Sequence, residues 1–292
     1  MKNDNDISIS FEVFPPNTSQ GLQKLHETCK KLKTLDPTFI SVTFGAAGSS
    51  QLKTVRLVKQ LMKESIPTTP HISCVGMTKI RLQKLLDGYI QCGVKQLIVI
   101  RGDIVVGSGM SDYHYAADLI SSIRQLTGDH FHITVAAYPE FHPQAITSGM
   151  DLIHFKRKVD AGANSAITQF FFNSDAYARF RENCHKAGVS IPIIPGIMPI
   201  QDYAKLIRFS GACGAEIPLW LRKQLDSFSG DYFSIKSLGV ELITKLCERL
   251  LLDGAEGLHF YTLNQMNPAV HICRNLFSDA SRADFLNFIY AS

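Results

Sequence analysis

The sequence predicts an α/β chain folded as one (β/α)8 barrel of the TIM type, a single domain over residues 1–292. Two observations carry this. Eight short apolar or β-branched runs recur along the 292 residues, most of them continuous in hydrophobicity, as strands buried on both faces are. Between them lie segments whose apolar residues repeat at three- and four-residue spacing, the mark of helices with one buried face. The length suits one such barrel. An open doubly wound sheet is the alternative that alternation alone leaves standing.

The elements follow in order. SISFEVF (8–14) is the first strand, stopped by Pro15 and Pro16, and LQKLHETCKKLKTL the first helix. FISVTFG (39–45) runs into FGAAGSS (44–50), a strand-to-helix turn, and then VRLVKQLMKE. PHISC (70–74) leads to KIRLQKLLDGYIQCG, and KQLIVIRG (95–102) to YAADLISSIRQL. HITVAAYP (132–139) precedes LIHFKRKVDAG, where Leu152, Phe155 and Val159 form the apolar stripe and Gly162 the C-cap. SAITQFFF (165–172) precedes DAYARFRENCHKAG, and PIIPGIM (192–198) precedes DYAKLIRFSGACG. Residues 215–235 form an insertion before the helix IKSLGVELITKLCERLLLDG. GLHFYTL (257–263) is the eighth strand, and 264–290 a terminal helix with a tail. No linker divides the chain.

Composition narrows the function. With 45% hydrophobic and 19% charged residues the chain is ordinary and globular, with apolar side chains enough for a large core. A net charge of +4 does not point to nucleic acid but suits a phosphorylated ligand. Seven dispersed cysteines without a CxxC pair read as reduced thiols of a cytoplasmic protein. No run of about 18 apolar residues is present, so no membrane span is expected. No His/Cys/Asp set has zinc spacing, and no metal is expected. Neither GxGxxG, nor a Walker A loop, nor GxSxG occurs, so any dinucleotide is held by other means.

Barrel chemistry sits at the C-terminal ends of the strands. Those ends carry Glu12, Thr43, His71, Arg101 with Asp103, Tyr138 with Glu140, and Gln169. Each has a structural explanation on its own: Glu12 an ion pair with a lysine or arginine, His71 a core histidine, Arg101 and Asp103 a loop salt bridge, Gln169 a partner for backbone groups. Their convergence on one mouth favours a site. Asp151, His154 and Lys158 fall at i, i+3 and i+7 on one helical face, which fits a phosphate-bearing ligand. The run Lys156-Arg157-Lys158 reads equally as a solvated face. Tyr113 and Tyr115, ahead of a helix, either stack on a ligand or pack.

SFEVFPP, SVTFGA, PHISC, IRGD, VAAYPEFHP, KRKVDAGANSAITQFFF, IIPGIMPI and HFYTLN stand here in that order. Together they resemble methylenetetrahydrofolate reductase of the bacterial type, over about residues 7–275. The resemblance implies an FAD-containing barrel that reduces 5,10-methylenetetrahydrofolate to 5-methyltetrahydrofolate with NADH or NADPH, NADH being favoured. It implies ping-pong turnover feeding methionine synthesis, a homo-oligomer (dimer or tetramer) and no C-terminal regulatory domain. Folate and nicotinamide nucleotide are the small-molecule partners.

The same resemblance assigns roles. Glu12 is the general acid toward N10 of folate, which calls for an apolar, partly desolvated mouth that keeps its proton on near neutral pH. Asp103 lies between flavin and pterin and favours the cation formed on folate. Gln169 and Phe209 touch folate and nicotinamide in turn, and Thr43 touches the nicotinamide nucleotide. FAD contacts are carried over to Phe44, Ala46, His71, Arg101, Gly102, Asp103, Tyr115, Ala116, Tyr138, His142, Asp151, His154, Arg157 and Lys158. The basic pair faces the pyrophosphate and Asp151 a ribose or the adenine. Gln265 replaces a frequent arginine near the glutamate tail of folate, and Lys205 is the substitute cation. Phe44 stands for a frequent tyrosine and His154 for a frequent asparagine.

Overall fold

The computed structural model describes residues 7–44, 51–103, 110–228 and 230–277. Among them are nine parallel strands and ten helices. The strands are β1 (Ser8–Val13), β2 (Phe39–Val42), β3 (Thr68–Ser73), β4 (Gln96–Ile100), β5 (His132–Ala137), β6 (Ser165–Thr168), β7 (Ile193–Ile194), β8 (Gly196–Ile197) and β9 (Gly257–Tyr261). The helices are α1 (Ser19–Lys33), α2 (Gln51–Lys63), α3 (Lys79–Gln91), α4 (Ala116–Thr127), α5 (Ser148–Asp160), α6 (Ser174–Lys186), α7 (Tyr203–Cys213), α8 (Leu219–Ser227), α9 (Tyr232–Leu252) and α10 (Asn267–Phe277).

Every neighbouring pair of strands is parallel, in the order β7-β6-β5-β4-β3-β2-β1-β9-β8. The open doubly wound sheet is thereby set aside. The seventh strand, expected as one run over 192–198, is two short halves. Pro195 has no N–H to give a ladder and interrupts the pairing. β7 pairs with β6, and β8 with β9, so the two halves together close the ring. Three features knit the break. The Thr168 hydroxyl accepts from the Gly196 N–H at 2.9 Å, the Tyr261 hydroxyl donates to the Thr168 carbonyl at 2.7 Å, and the His259 N–H donates to the Pro195 carbonyl at 3.0 Å. Position 196 has to be glycine: a Cβ there would lie 2.1 Å from the Thr168 carbonyl oxygen.

Alternation along the strands separates two cores. Phe11, Val13, Ile40, Val42, Ile72, Val99 and Val135 face outward and pack with helix residues such as Leu25, Leu57, Leu82 and Leu119. Inside the ring a small plug of Phe39, Ile98 and Ile167 is ringed by Ile100, Ile194 and Tyr261. Ser10, Glu12, Ser41, His71 and His259 share the inner phase, since Ser10 pairs with Phe39 and His259, and His71 with Ile98. The insertion at 215–235 contains α8, and the terminal helix is described as far as Phe277. Gly162, at φ +112°, ends α5 just after Ala161.

Candidate active site

Glu12 is the penultimate residue of β1, with Ser41 and Tyr261 as its cross-strand neighbours. Its side chain is 21% exposed, and Oε2 lies 3.4 Å from Nε2 of His71 and 3.8 Å from Nε2 of His259. No lysine or arginine pairs with it among the described residues, so the ion-pair explanation fails. Both Nε2 atoms are buried without a hydrogen-bond partner among the described residues. Burial pulls the His71 pKa down; Glu12 opposes this and His259 adds to it, which leaves His71 neutral. The other ring nitrogen of His259, Nδ1, lies 2.8 Å from the Ser10 hydroxyl.

The chain just after β9 holds the end of β1 in place. The Thr262 hydroxyl donates to the Glu12 carbonyl at 2.6 Å. Asn264 brackets Phe14: its Oδ1 accepts from the Phe14 N–H and its Nδ2 donates to the Phe14 carbonyl, both at 2.9 Å. Leu263 and Asn264 adopt φ of 51° and 60°, the left-handed region that non-glycine residues rarely enter. That turn is what lets an amide side chain meet the strand end.

A second group gathers where β4 and β5 end beside α5. The Arg101 guanidinium donates to Gln144, and the Ser73 hydroxyl donates to the Arg101 carbonyl at 3.0 Å. Asp103 is exposed, and no Arg101–Asp103 ion pair forms among the described residues. Gly102 sits at φ +81°, and a Cβ there would fall 2.1 Å from the Ser73 hydroxyl. His142 meets Tyr138 edge-on at 4.6 Å, its N–H donates to Asp151 at 3.0 Å, and Nδ1 accepts from the Gln144 N–H at 3.0 Å. Tyr115 and His154 are stacked, centroids 6.3 Å apart at 9°. The Lys158 ammonium donates to the Ala136 carbonyl. Although the residue is partly exposed, that head is desolvated, which lowers its pKa to about 8, with Asp151 opposing. Desolvation, then Asp151, push the Tyr138 phenol up to about 12. Asp151, His154 and Lys158 all lie on α5 and reach His142, Tyr115 and the Ala136 carbonyl of β5 respectively. Arg157 is exposed, Ala116 is buried at the start of α4, and Ala46 lies outside the described residues.

A cleft at the ring's seam is lined by Met198, Pro199, Gln201, Lys205, Phe209, Tyr232, Leu263 and Gln265. Three of the residues assigned to substrate meet there. Lys205 is 3.8 Å from Asp202, and the Arg208 guanidinium lies 5.1 Å from the Phe209 ring centre. Gln169 lies apart from them, with Tyr138 and Phe170 at a smaller hollow, its Oε1 accepting from the Phe170 N–H at 3.0 Å. The Thr43 hydroxyl is buried without a partner among the described residues, and Phe44 beside it is half-buried. Sequence reasoning passed over Ser10, His259, Tyr261 and Asn264. Alternation within GLHFYTL does put His259 and Tyr261 on one side, but only the register against β1 brings them to Glu12.

Comparison with known proteins gives concordant results. A family model described as methylenetetrahydrofolate reductase matches residues 1–277. The chain is 37% identical over 271 residues to 5,10-methylenetetrahydrofolate reductase of Escherichia coli (strain K12), covering 92% of this chain and 90% of that one. It is 34% identical over 288 residues to methylenetetrahydrofolate reductase (NADH) 1 of Zea mays, covering 94% of this chain and 49% of the maize protein. Among solved structures, an uncharacterized Clostridium thermocellum protein that binds two copies of 5-methyl-5,6,7,8-tetrahydrofolic acid superposes with a TM-score of 0.68 at 16% identity. The match covers 95% of this chain and 96% of that one and is a likeness of fold.

Proposed function

The chain belongs to the methylenetetrahydrofolate reductase family, an oxidoreductase family, and from that premise we propose that its barrel mouth reduces 5,10-methylenetetrahydrofolate to 5-methyltetrahydrofolate, with NADH as reductant and FAD as cofactor. NADH rather than NADPH is favoured by the maize relative's name.

The residues present fit FAD. A desolvated ammonium at Lys158 whose charge is only marginally held, the orphaned Nε2 of His71 and the side-chain-free backbone at Gly102 are a set that an anionic, planar ligand would satisfy. Arg157 and Lys158 would face the pyrophosphate and Asp151 a ribose or the adenine; the remaining FAD contacts are those named from the sequence. FAD, when bound, supplies the hydride chemistry.

The protein's part is orientation, charge and a proton. Glu12 donates its proton to N10 of the folate. The bond between N10 and the methylene carbon breaks, its electron pair stays on N10, and the methylene is left as an iminium cation at N5. Asp103 favours that cation. The methylene carbon then accepts hydride and becomes the methyl group. Gln169 and Phe209 hold nicotinamide and folate in turn, which is the basis of ping-pong turnover, Thr43 meets the nicotinamide nucleotide, and Lys205 and Gln265 meet the glutamate tail. The methyl product would serve methionine synthesis in the cytoplasm, and the enzyme would work as a homo-oligomer.

One observation carries the acid assignment: a carboxyl group at the mouth faces two imidazoles and, among the described residues, no lysine or arginine. Stopped-flow of the separate half-reactions tests it. Glu12→Gln keeps flavin bleaching by NADH and loses re-oxidation by methylenetetrahydrofolate. Survival of both half-reactions would overturn the assignment.

A further inference from the structure

We propose that Tyr232 is a residue that sets substrate specificity: its ring packs on the aminobenzoyl ring of folate, between pterin and glutamate tail, and makes no corresponding contact with the nicotinamide nucleotide. This deepens the folate reading of the seam cleft and rests on it.

Tyr232 opens α9 and lines the cleft together with Phe209, Lys205 and Gln265. Its place there follows from local structure. Asp231 caps the helix, its carboxylate accepting from the N–H groups of Phe233 at 3.0 Å and Ser234 at 3.2 Å. Residues 232, 235 and 239 stand at i, i+3 and i+7, hence on one face of α9. Ile235 on that face is buried, and a Cβ at Gly239 would lie 2.4 Å from the Ile200 carbonyl oxygen. The helix therefore seats this face against the stretch 198–202, which forms one wall of the cleft. Phe233, one step round the helix, is 82% exposed and does not line the cleft.

Tyr232 is itself 50% exposed, an aromatic ring half uncovered at the rim of the cleft. Covering such a surface with another flat ring is favourable, through burial of apolar area and through ring-on-ring contact. The cleft presents two kinds of surface: an aliphatic wall that includes Ile200, Leu206 and Leu263, and the polar ends of Lys205 and Gln265. Folate carries the matching order of groups, a pterin, a flat aminobenzoyl ring and then carboxylates. With the carboxylates at Lys205 and Gln265, the aminobenzoyl ring is the part that comes beside Tyr232 and Phe209. A nicotinamide nucleotide has no ring at that place. Behind its nicotinamide come a ribose and two phosphates, strongly hydrated groups for which an aliphatic wall and a tyrosine ring are poor partners.

p-Aminobenzoylglutamate, the outer part of folate, is the probe for this contact. It binds the FAD-loaded wild-type protein, and in Tyr232→Ala its dissociation constant by titration calorimetry rises about tenfold. The KM for methylenetetrahydrofolate rises by a similar factor while kcat is kept, the mark of a contact made equally in ground and transition state. Tyr232→Phe, which retains the ring, stays within about twofold of wild type in both readouts. The KM for NADH does not follow the KM for folate in either variant. Phe233→Ala, which disturbs the same helix start from outside the cleft, leaves the affinity for aminobenzoylglutamate unchanged.

A wild-type dissociation constant for aminobenzoylglutamate in Tyr232→Ala overturns the proposal. So does an equal loss in Tyr232→Phe, which assigns the effect to the hydroxyl, or in Phe233→Ala, which makes it a matter of helix integrity. An equal rise in the KM for NADH overturns the specificity. A wild-type protein that neither binds aminobenzoylglutamate nor reduces methylenetetrahydrofolate defeats the folate reading of the cleft itself. Normal folate turnover in the wild type beside an unaltered Tyr232→Ala defeats the role of Tyr232 alone.

Discussion

At the residue scale, Lys158 ties stability to the ligand proposed for it. Its pKa of about 8 lies below the ordinary 10.5 because the head is desolvated. Between those values the unfolded chain binds more protons than the folded one, so this group makes the FAD-free protein more stable as pH rises from about 8. On the proposed reading a pyrophosphate needs the cation, so FAD retention should change the opposite way and weaken as pH rises above about 8. Melting curves of the FAD-free protein and flavin fluorescence after dilution, across pH 7–10, check the two signs; Lys158→Met removes both dependences. Gly102→Ala is a second residue-scale case. Its φ of +81° and the 2.1 Å approach to Ser73 leave no room for a methyl group. We expect a loss of about 2 kcal/mol or more in denaturant unfolding, with weakened FAD binding. In the sequence, Lys158 drew notice through helical spacing, and Gly102 only through the family resemblance. Ser10 and His259 were not, because their meaning depends on which strand lies beside which.

At the scale of the element, β9 and the turn after it matter more than their length suggests. The turn clamps β1 through Asn264 and Thr262, far away in sequence. Asn264→Ala removes two hydrogen bonds to a strand end and leaves their backbone partners without that amide. A stability loss of about 1–3 kcal/mol follows. Folate turnover falls with it while reduction by NADH is largely kept, because what loosens is the ledge that carries Glu12; thermal unfolding and the two half-reactions check this. The sequence reading carried the strand GLHFYTL on to 263 and gave no sign of this turn; the strand ends at Tyr261. The seventh strand was misjudged in one respect: Pro195 stands in the middle of PIIPGIM, and its missing N–H does break the run. The hydrophobicity that marks a strand is indifferent to whether its two halves pair with different neighbours.

For the molecule as a whole, the eight-position ring was legible because burial on both faces writes itself into apolar runs. The split between an outer core and a small inner plug was not, since both read as hydrophobic. The plug sets a floor under the polar residues of the mouth. Ile98→Ala, at 4% exposure, opens a hole in that floor and costs about 2–5 kcal/mol, measurable by urea unfolding. Three of the residues assigned to substrate, Phe209, Lys205 and Gln265, meet at the seam where the ring closes. That grouping joins residues from two distant stretches of chain and appears only once the ring is shut.

The broken seventh strand makes the ring a bracelet with a clasp. Its catch is two residues of ladder on either side of Pro195, one tyrosine hydroxyl and one threonine hydroxyl, where every other seam has a longer run of rungs. A bracelet gives first at its clasp, and the cleft lined by Lys205, Phe209 and Gln265 opens beside it. Amide hydrogens of Gly196 and Ile197 should exchange faster than those of β4 and β5, faster still in Tyr261→Phe, and slower once folate bridges the gap.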